Sequence, residues 1–128
     1  REDRRRILIY PEGHLAPMGY HFRYKPGVWH MQKAMDVPIV PVATNLNCFW
    51  QQEEILKKPG TAIIEFLDPI PAGLPKEEAM ERLTNAVEAR SAELIAEATG
   101  KPVEPTNLLP DPDKGTIGKP NAELAKTT

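Results

Sequence analysis

Two short segments near the start of the chain carry residue types that can bind an anion. In the first segment an apolar run ends at Tyr10 and Pro11, and Glu12 and Gly13 follow. Ligands of open α/β sheets bind beyond the carboxyl ends of the strands, and a glycine there lets a backbone N–H approach an anion closely. A carboxylate at the same place can orient a basic group or a hydroxyl. This segment is therefore a candidate ligand loop.

The second segment covers residues 23–27 and ends where a helix is predicted to begin. Lys25 lies next to that helix N-terminus, where the backbone amides and the helix dipole add to its positive charge. Such a group is a plausible partner for a phosphate. On residue types alone, an anion site and a surface turn with a solvated pair of Arg23 and Lys25 explain the two segments equally well.

Three apolar runs predict strands around these segments. Residues 7–10 are short, apolar and β-rich, which predicts a buried strand, and residues 38–43 and 61–67 predict two more. The last run is apolar on both faces apart from Glu65, a pattern typical of a parallel strand covered by helices. The sequence therefore predicts the α/β class, with a partial, mostly parallel sheet flanked by helices.

Helical periodicity predicts two helices, over residues 27–35 and 76–98, and one further turn is expected at 51–56. Gly100 and Pro102 follow the second helix in the order typical of a helix end. In the first helix one face is expected to carry Val28, Met31, Ala34 and Met35. In the second helix the apolar stripe contains Met80, Leu83, Val87, Leu94 and Ile95, with Arg90 or Ser91 where an apolar residue is expected.

These elements divide the chain into a packed part, residues 1–100, and a Pro-, Gly- and charge-rich stretch, residues 101–128, which is predicted to be a disordered tail. Three strands and two or three helices make a thin core for an independent domain. The chain also begins at Arg1 and enters an apolar strand within seven residues. We therefore expect it to be the C-terminal part of a larger domain.

Composition narrows the class of protein further. The 128 residues have a net charge of −2, which gives no support to nucleic-acid binding. Cys48 is the single cysteine, so a disulfide within the chain is impossible and a cytosolic setting is the simpler expectation. The first 60 residues hold nine Lys and Arg against six Asp and Glu, which suits an anionic ligand, although four of these basic residues lie within the first six positions.

Several sequence blocks, in order and at consistent spacing, resemble those of the glycerolipid acyltransferases. Residues 7–13 resemble the segment that ends in the F-P-E-G-T-R motif, residues 24–27 resemble F-K-x-G, and residues 37–43 resemble V-P-I-V-P-V-A. Residues 45–50, 58–61 and 65–74, together with the long helix, look like bacterial 1-acyl-sn-glycerol-3-phosphate acyltransferases. The resemblance covers residues 7–98, the C-terminal part of the family's domain.

This resemblance implies transfer of an acyl group from acyl-ACP or acyl-CoA to the hydroxyl of lysophosphatidic acid, without a metal or bound cofactor. It implies a phosphate site formed by Glu12 and Gly13, with Lys25 and Gly27 as neighbours. The complete enzyme is expected at the cytoplasmic face of the cell membrane, anchored through residues N-terminal to this part.

Two departures from the family pattern qualify these expectations. His14 and Leu15 stand where the motif has Thr and Arg, so the guanidinium that grips phosphate with two parallel bonds is absent. Lys25, Arg23 or a protonated His14 are the substitutes that the chain offers. The family's His-x4-Asp pair, in which the acid orients a histidine general base, is also absent from these residues. We therefore expect no catalysis from this chain alone, and a non-catalytic module for a phosphate-bearing ligand is the alternative.

The remaining reactive side chains have structural explanations. His30 and Asp36 are separated by five residues and follow the motif, so we interpret His30 as a helix-surface or packing residue. His14 and His21 match no metal-binding spacing, and no metal is predicted. Cys48, Phe49 and Trp50 are expected to pack beneath a loop, although the two aromatic residues would also suit an acyl-chain groove or a lipid surface.

Overall fold

The computed structural model describes residues 6–14, 16–50, 55–56 and 58–112. It contains two α-helices, α1 (Gly27–Met35) and α2 (Lys76–Thr99), and four short strands: β1 (Tyr20–His21), β2 (Val42–Thr44), β3 (Ile64–Phe66) and β4 (Asn107–Leu108). A single 3-10 turn covers Leu46–Cys48. The chain is an α/β protein with a small parallel sheet and two helices, which confirms the predicted fold class.

The strands form two separate pairs. β1 and β4 are parallel, with Tyr20 opposite Asn107 and His21 opposite Leu108. β2 and β3 are antiparallel, and an isolated bridge between Ile39 and Ile70 continues their pairing. The prediction of a parallel strand at residues 61–67 is therefore wrong.

The pair β2–β3 is covered on one face only by the described residues. Ala43 is fully buried on the face that contacts α2, whereas Phe66 on the other face is 74% exposed. Apolarity on both faces of a strand predicts burial on both sides. The structure instead leaves an apolar face that no described element covers.

Helix α1 has the predicted bounds. Pro26 precedes its first turn, and Asp36 ends it in the left-handed conformation, with its N–H bonded to the carbonyl of Gln32. The predicted face is right for Val28, which is buried, and wrong for Met31 and Met35, which are exposed while Gln32 is buried. The reason is a hydrogen bond of 3.0 Å from Gln32 Nε2 to the carbonyl of Ile70, which turns a polar residue inward.

Helix α2 follows Pro75 and carries Glu77 and Glu78 in its first turn, where they complement the helix dipole. Gly100 ends it with a φ of 69°, as the sequence predicts. Arg90 is the polar residue that interrupts the apolar stripe, and it forms an ion pair with Glu65 of β3. The interruption is therefore a contact between the helix and the strand.

The hydrophobic core lies between α1, α2 and the loop before α1. Its buried members are Tyr24, Val28, Ile70 and Leu83, and partly buried side chains pack around them. This arrangement fixes the end of the loop that contains the candidate site, because Tyr24 belongs to both the core and the loop.

Two further predictions differ from the structure. Residues 7–10 form no strand: Leu8 is 72% and Tyr10 is 78% exposed, and only Ile9 packs against the core. A strand needs a neighbour for its backbone groups, and none of the described strands pairs with this segment. The predicted tail contains β4 and the buried Leu109, so disorder is wrong for this part; residues 113–128 lie outside the described residues.

Candidate functional site

The candidate site is a loop, residues 10–25, whose two ends are joined by hydrogen bonds. The N–H of Lys25 donates to the carbonyl of Pro11 over 2.7 Å. The N–H of Phe22 donates to Oε2 of Glu12 over 2.8 Å. These two bonds bring residues 11–13 and 22–25 together, although about ten residues separate them in the sequence.

Gly13 and Lys25, two of the predicted site residues, are in contact. Gly13 closes a turn through a 3.1 Å bond from its N–H to the carbonyl of Tyr10, and its φ is +72°. A Cβ at this position would lie 3.3 Å from Nζ of Lys25. The lysine side chain therefore lies along the face that the glycine leaves open.

Gly27, the fourth predicted site residue, is the first residue of α1. Lys25 and Pro26 lead directly into this helix, whose first turn contains no acidic residue. The first N–H groups of a helix have no acceptor within the helix, and they point outward from its positive end. Lys25 therefore lies two positions before the first residue of α1, on the side of the helix's positive end.

Glu12 is partly buried, and its carboxylate is bonded within the loop. Burial raises the pKa of its carboxyl group, the bond from Phe22 N–H opposes that shift, and the nearby Glu88 carboxylate adds to it. A carboxylate repels a phosphate and this one already accepts a backbone N–H. The geometry therefore makes Glu12 a support for the loop.

The two substitute contacts proposed for the missing arginine differ in their settings. His14 is exposed, and its ring lies edge-on to Phe22 with centroids 5.6 Å apart. Arg23 is exposed on the same loop. Leu15, which replaces the motif's arginine, lies outside the described residues.

A polar network next to the loop was missed by sequence reasoning. Tyr24 donates from its hydroxyl to Oε1 of Glu88 over 2.5 Å, and Thr106 donates to Oε2 of Glu88 over 2.7 Å. The Thr106 hydroxyl also lies 3.0 Å from Nδ1 of His21. Desolvation and the charge of Glu88 raise the pKa of Tyr24, which stays a neutral donor. Its hydrogen-bonded pairs are 18 to 85 residues apart in sequence, so no local pattern reveals it.

The other reactive residues lie away from this loop's network. Burial raises the pKa of the Cys48 thiol, which disfavours the nucleophilic thiolate. Phe49 packs closely against Gly60, where a Cβ would clash with its ring, and Trp50 is about half exposed.

His30 is exposed on α1 beside the Trp29 ring, as predicted for a surface residue. The turn expected at 51–56 falls mainly on residues 51–54, which lie outside the described residues.

Two further properties of the described residues concern metal binding and membrane spanning. Among residues 6–14, 16–50, 55–56 and 58–112, no cluster of three or more His, Cys, Asp or Glu side chains could hold a metal ion. No helix in this part of the chain combines the length and the apolarity needed to cross a membrane.

Comparison with known proteins shows similarity to an acyltransferase of lipid biosynthesis. The relative is the 1-acyl-sn-glycerol-3-phosphate acyltransferase of Pseudomonas aeruginosa, with 26% identity over 106 residues. The match covers 83% of this chain and 40% of the relative, so the chain spans less than half the length of that enzyme. No family model matches the chain. No solved structure gives a significant match.

Proposed function

We propose that this chain forms the acceptor-phosphate part of an acyltransferase that transfers an acyl group to lysophosphatidic acid. The observation that carries the proposal is the contact between Gly13 and Lys25 beside the N-terminus of α1. Support comes from the similarity to an acyltransferase over 83% of the chain. The acyl donor in the proposal is acyl-ACP or acyl-CoA, and the reaction takes place at the cytoplasmic face of the cell membrane.

In this proposal each residue of the loop has a separate task. Lys25 supplies the positive charge that binds the phosphate of the acceptor, and the amides at the start of α1 add their dipoles. Gly13 leaves room for the lysine side chain, because a Cβ there would lie 3.3 Å from Nζ of Lys25. Glu12 holds the loop closed through the N–H of Phe22.

In this proposal the charge of Lys25, with the N-terminus of α1, binds the phosphate without the arginine of the family motif. A lysine is a compact charge that tolerates several directions of approach, whereas an arginine fork fixes the phosphate oxygens in a plane. His14 adds positive charge when it is protonated. We therefore expect weaker orientation of the phosphate here than in proteins with the complete motif.

The chemical step requires a general base that this chain lacks, because no histidine in the sequence is followed by Asp after four residues. We propose that the base comes from residues outside these 128 and that the step uses no metal or bound cofactor. The part described here binds and orients the acceptor, which places its free hydroxyl within reach of that base.

The proposal is tested by titrating the isotopically labelled chain with lysophosphatidic acid and following the amide resonances. We expect the amides of Gly13, Lys25 and Gly27 to shift with lysophosphatidic acid, and much less with lysophosphatidylcholine of the same acyl chain. Lys25→Ala should weaken binding about tenfold, the effect of losing one charged hydrogen bond.

The matched control is Lys33→Ala, which removes the same charge from the last turn of α1. It should leave the affinity unchanged. Equal binding of the two lipids, or an affinity that Lys25→Ala does not alter, would contradict the proposal. If inorganic phosphate binds as tightly as the lipid, the alternative of a non-catalytic module for a phosphate-bearing ligand is favoured.

A further inference from the structure

Glu88, in the middle of α2, connects three parts of the chain that are distant in sequence. Its two carboxylate oxygens accept hydrogen bonds from different residues: Oε1 from Tyr24, which precedes Lys25, and Oε2 from Thr106, which precedes β4. His21 of β1 approaches the same carboxylate, with Nδ1 3.8 Å from Oε2. One side chain therefore joins α2, the candidate loop and the stretch that contains β4.

The side chains of this network are shielded from solvent, and this shielding strengthens the hydrogen bonds between them. The side chains of His21 and Glu88 are 13% and 16% exposed, and Tyr24 is 6% exposed. Hydrogen bonds to a charged acceptor in such a setting are stronger than exposed neutral ones. The Tyr24 ring is also packed against Val28 and Leu83 in the core. The position of Tyr24 is thus fixed at both ends, by packing and by Glu88.

The hydrogen atoms of the network can have only one arrangement while Glu88 is ionised. Tyr24 and Thr106 each have one hydroxyl hydrogen, and both donate it to Glu88. The Thr106 oxygen must then accept from His21, so Nδ1 of His21 carries a hydrogen. Either the Nδ1–H tautomer or the imidazolium satisfies this requirement, and the Nε2–H tautomer does not.

Lys25 follows Tyr24 directly, so the orientation of the peptide between them is set by the anchored tyrosine. The same short segment is fixed on its other side by the bond from Lys25 N–H to Pro11. With both restraints in place the lysine side chain extends along Gly13. Without the bond from Tyr24 to Glu88, the segment loses one of its restraints and gains freedom to turn away from the glycine.

We propose that Glu88 is a positioning residue for the phosphate site: through the hydroxyl of Tyr24 it holds the segment that places Lys25 against Gly13. The role of the site in binding a phosphate rests on the proposed function, but the placement of Lys25 does not. Glu88 itself lies behind Tyr24 and makes no contact with the ligand in this proposal.

The placement is measured in the ligand-free chain by nuclear Overhauser effects between the Lys25 side chain and the Hα atoms of Gly13. Glu88→Ala should abolish this signal. Glu88→Gln should retain it, because a glutamine oxygen still accepts from Tyr24 while its NH₂ donates to Thr106. In that variant the Thr106 hydroxyl donates to His21, so the histidine should change to the Nε2–H tautomer, which its ring nitrogen shifts report. Glu81→Ala, at an exposed position of α2, is the matched control and should change neither observation.

Tyr24→Phe keeps the ring in the core and removes only the hydroxyl, so it tests the same contact if Glu88→Ala fails to fold. We expect the signal between Lys25 and Gly13 to fall at least about twofold, as the anchored population decreases. A signal of wild-type intensity in the folded Tyr24→Phe variant would overturn the positioning role, whether or not the chain binds a phospholipid. If the signal behaves as expected and lysophosphatidic acid does not bind, the positioning role stands and the proposed function fails.

Discussion

Nζ of Lys25 lies 3.3 Å from the position that a Cβ on Gly13 would occupy. Gly13 is also held at a φ of +72°, where residues with a side chain are strained. The contact and the backbone conformation together make glycine the residue that this turn requires.

Gly13→Ala should therefore have two effects. The left-handed conformation should lower the free energy of unfolding by about 1 kcal/mol, measured by urea denaturation. The new methyl group should also displace the Lys25 side chain and weaken the binding of lysophosphatidic acid several-fold, measured by titration.

Gly19→Ala is the matched control for this variant. Gly19 has a similar φ of +85°, but a Cβ there would meet nothing within 4 Å. We expect a comparable loss of stability with unchanged lipid affinity. Equal losses of affinity in the two variants would contradict a specific role for the contact with Lys25.

The raised pKa of Glu12 predicts a pH-dependent effect on stability. A carboxyl group whose pKa is higher in the folded state binds protons more tightly there, so its ionisation destabilises the fold as the pH rises above its ordinary pKa. Glu12→Gln removes this effect while its amide oxygen can still accept from Phe22. The stability of the variant relative to the wild type should therefore increase between pH 4 and pH 7, measured by urea denaturation at several pH values. A relative stability that falls over this range would mean that the folded state lowers the pKa.

Asn45 provides a test of how β2 and β3 are joined. It is 1% exposed, and its Oδ1 accepts a 2.8 Å bond from the N–H of Ile63. Asn45→Ala leaves that N–H without its partner and should lower the free energy of unfolding by about 2 kcal/mol. Asn47 is the control, because its buried Oδ1 accepts no hydrogen bond from the described residues. Asn47→Ala should be nearly neutral, and a loss as large as that of Asn45→Ala would contradict this assignment.

Local signals in the sequence predicted the helices well and their environments less well. The bounds of α1 and the end of α2 at Gly100 follow from periodicity and from terminating residues. The inward position of Gln32 and the ion pair of Arg90 depend on partners 38 and 25 residues away. Periodicity alone cannot identify such partners.

Pairing between residues that are distant in sequence explains why the predictions for the sheet and for the tail were wrong. β4 has two residues, and its partner β1 lies 87 residues earlier, so its sequence carries no recognisable strand pattern. The family resemblance implies that Lys25 is a neighbour of Gly13, and the structure brings these two residues together. The hydrogen bond from Tyr24 to Glu88 joins residues that are 64 positions apart, so no local sequence pattern predicts it.

The most direct test of the central claim is acyl transfer to lysophosphatidic acid by the protein that contains this chain together with the residues encoded before Arg1. We predict that those residues include a His-x4-Asp pair and that the protein forms phosphatidic acid from acyl-ACP or acyl-CoA. Lys25→Ala should raise the KM for lysophosphatidic acid about tenfold with little change in kcat, as for an interaction that serves binding, and Lys33→Ala should change neither. A protein with the complete pair that does not acylate this acceptor, or whose KM is unaffected by Lys25→Ala, would contradict the account.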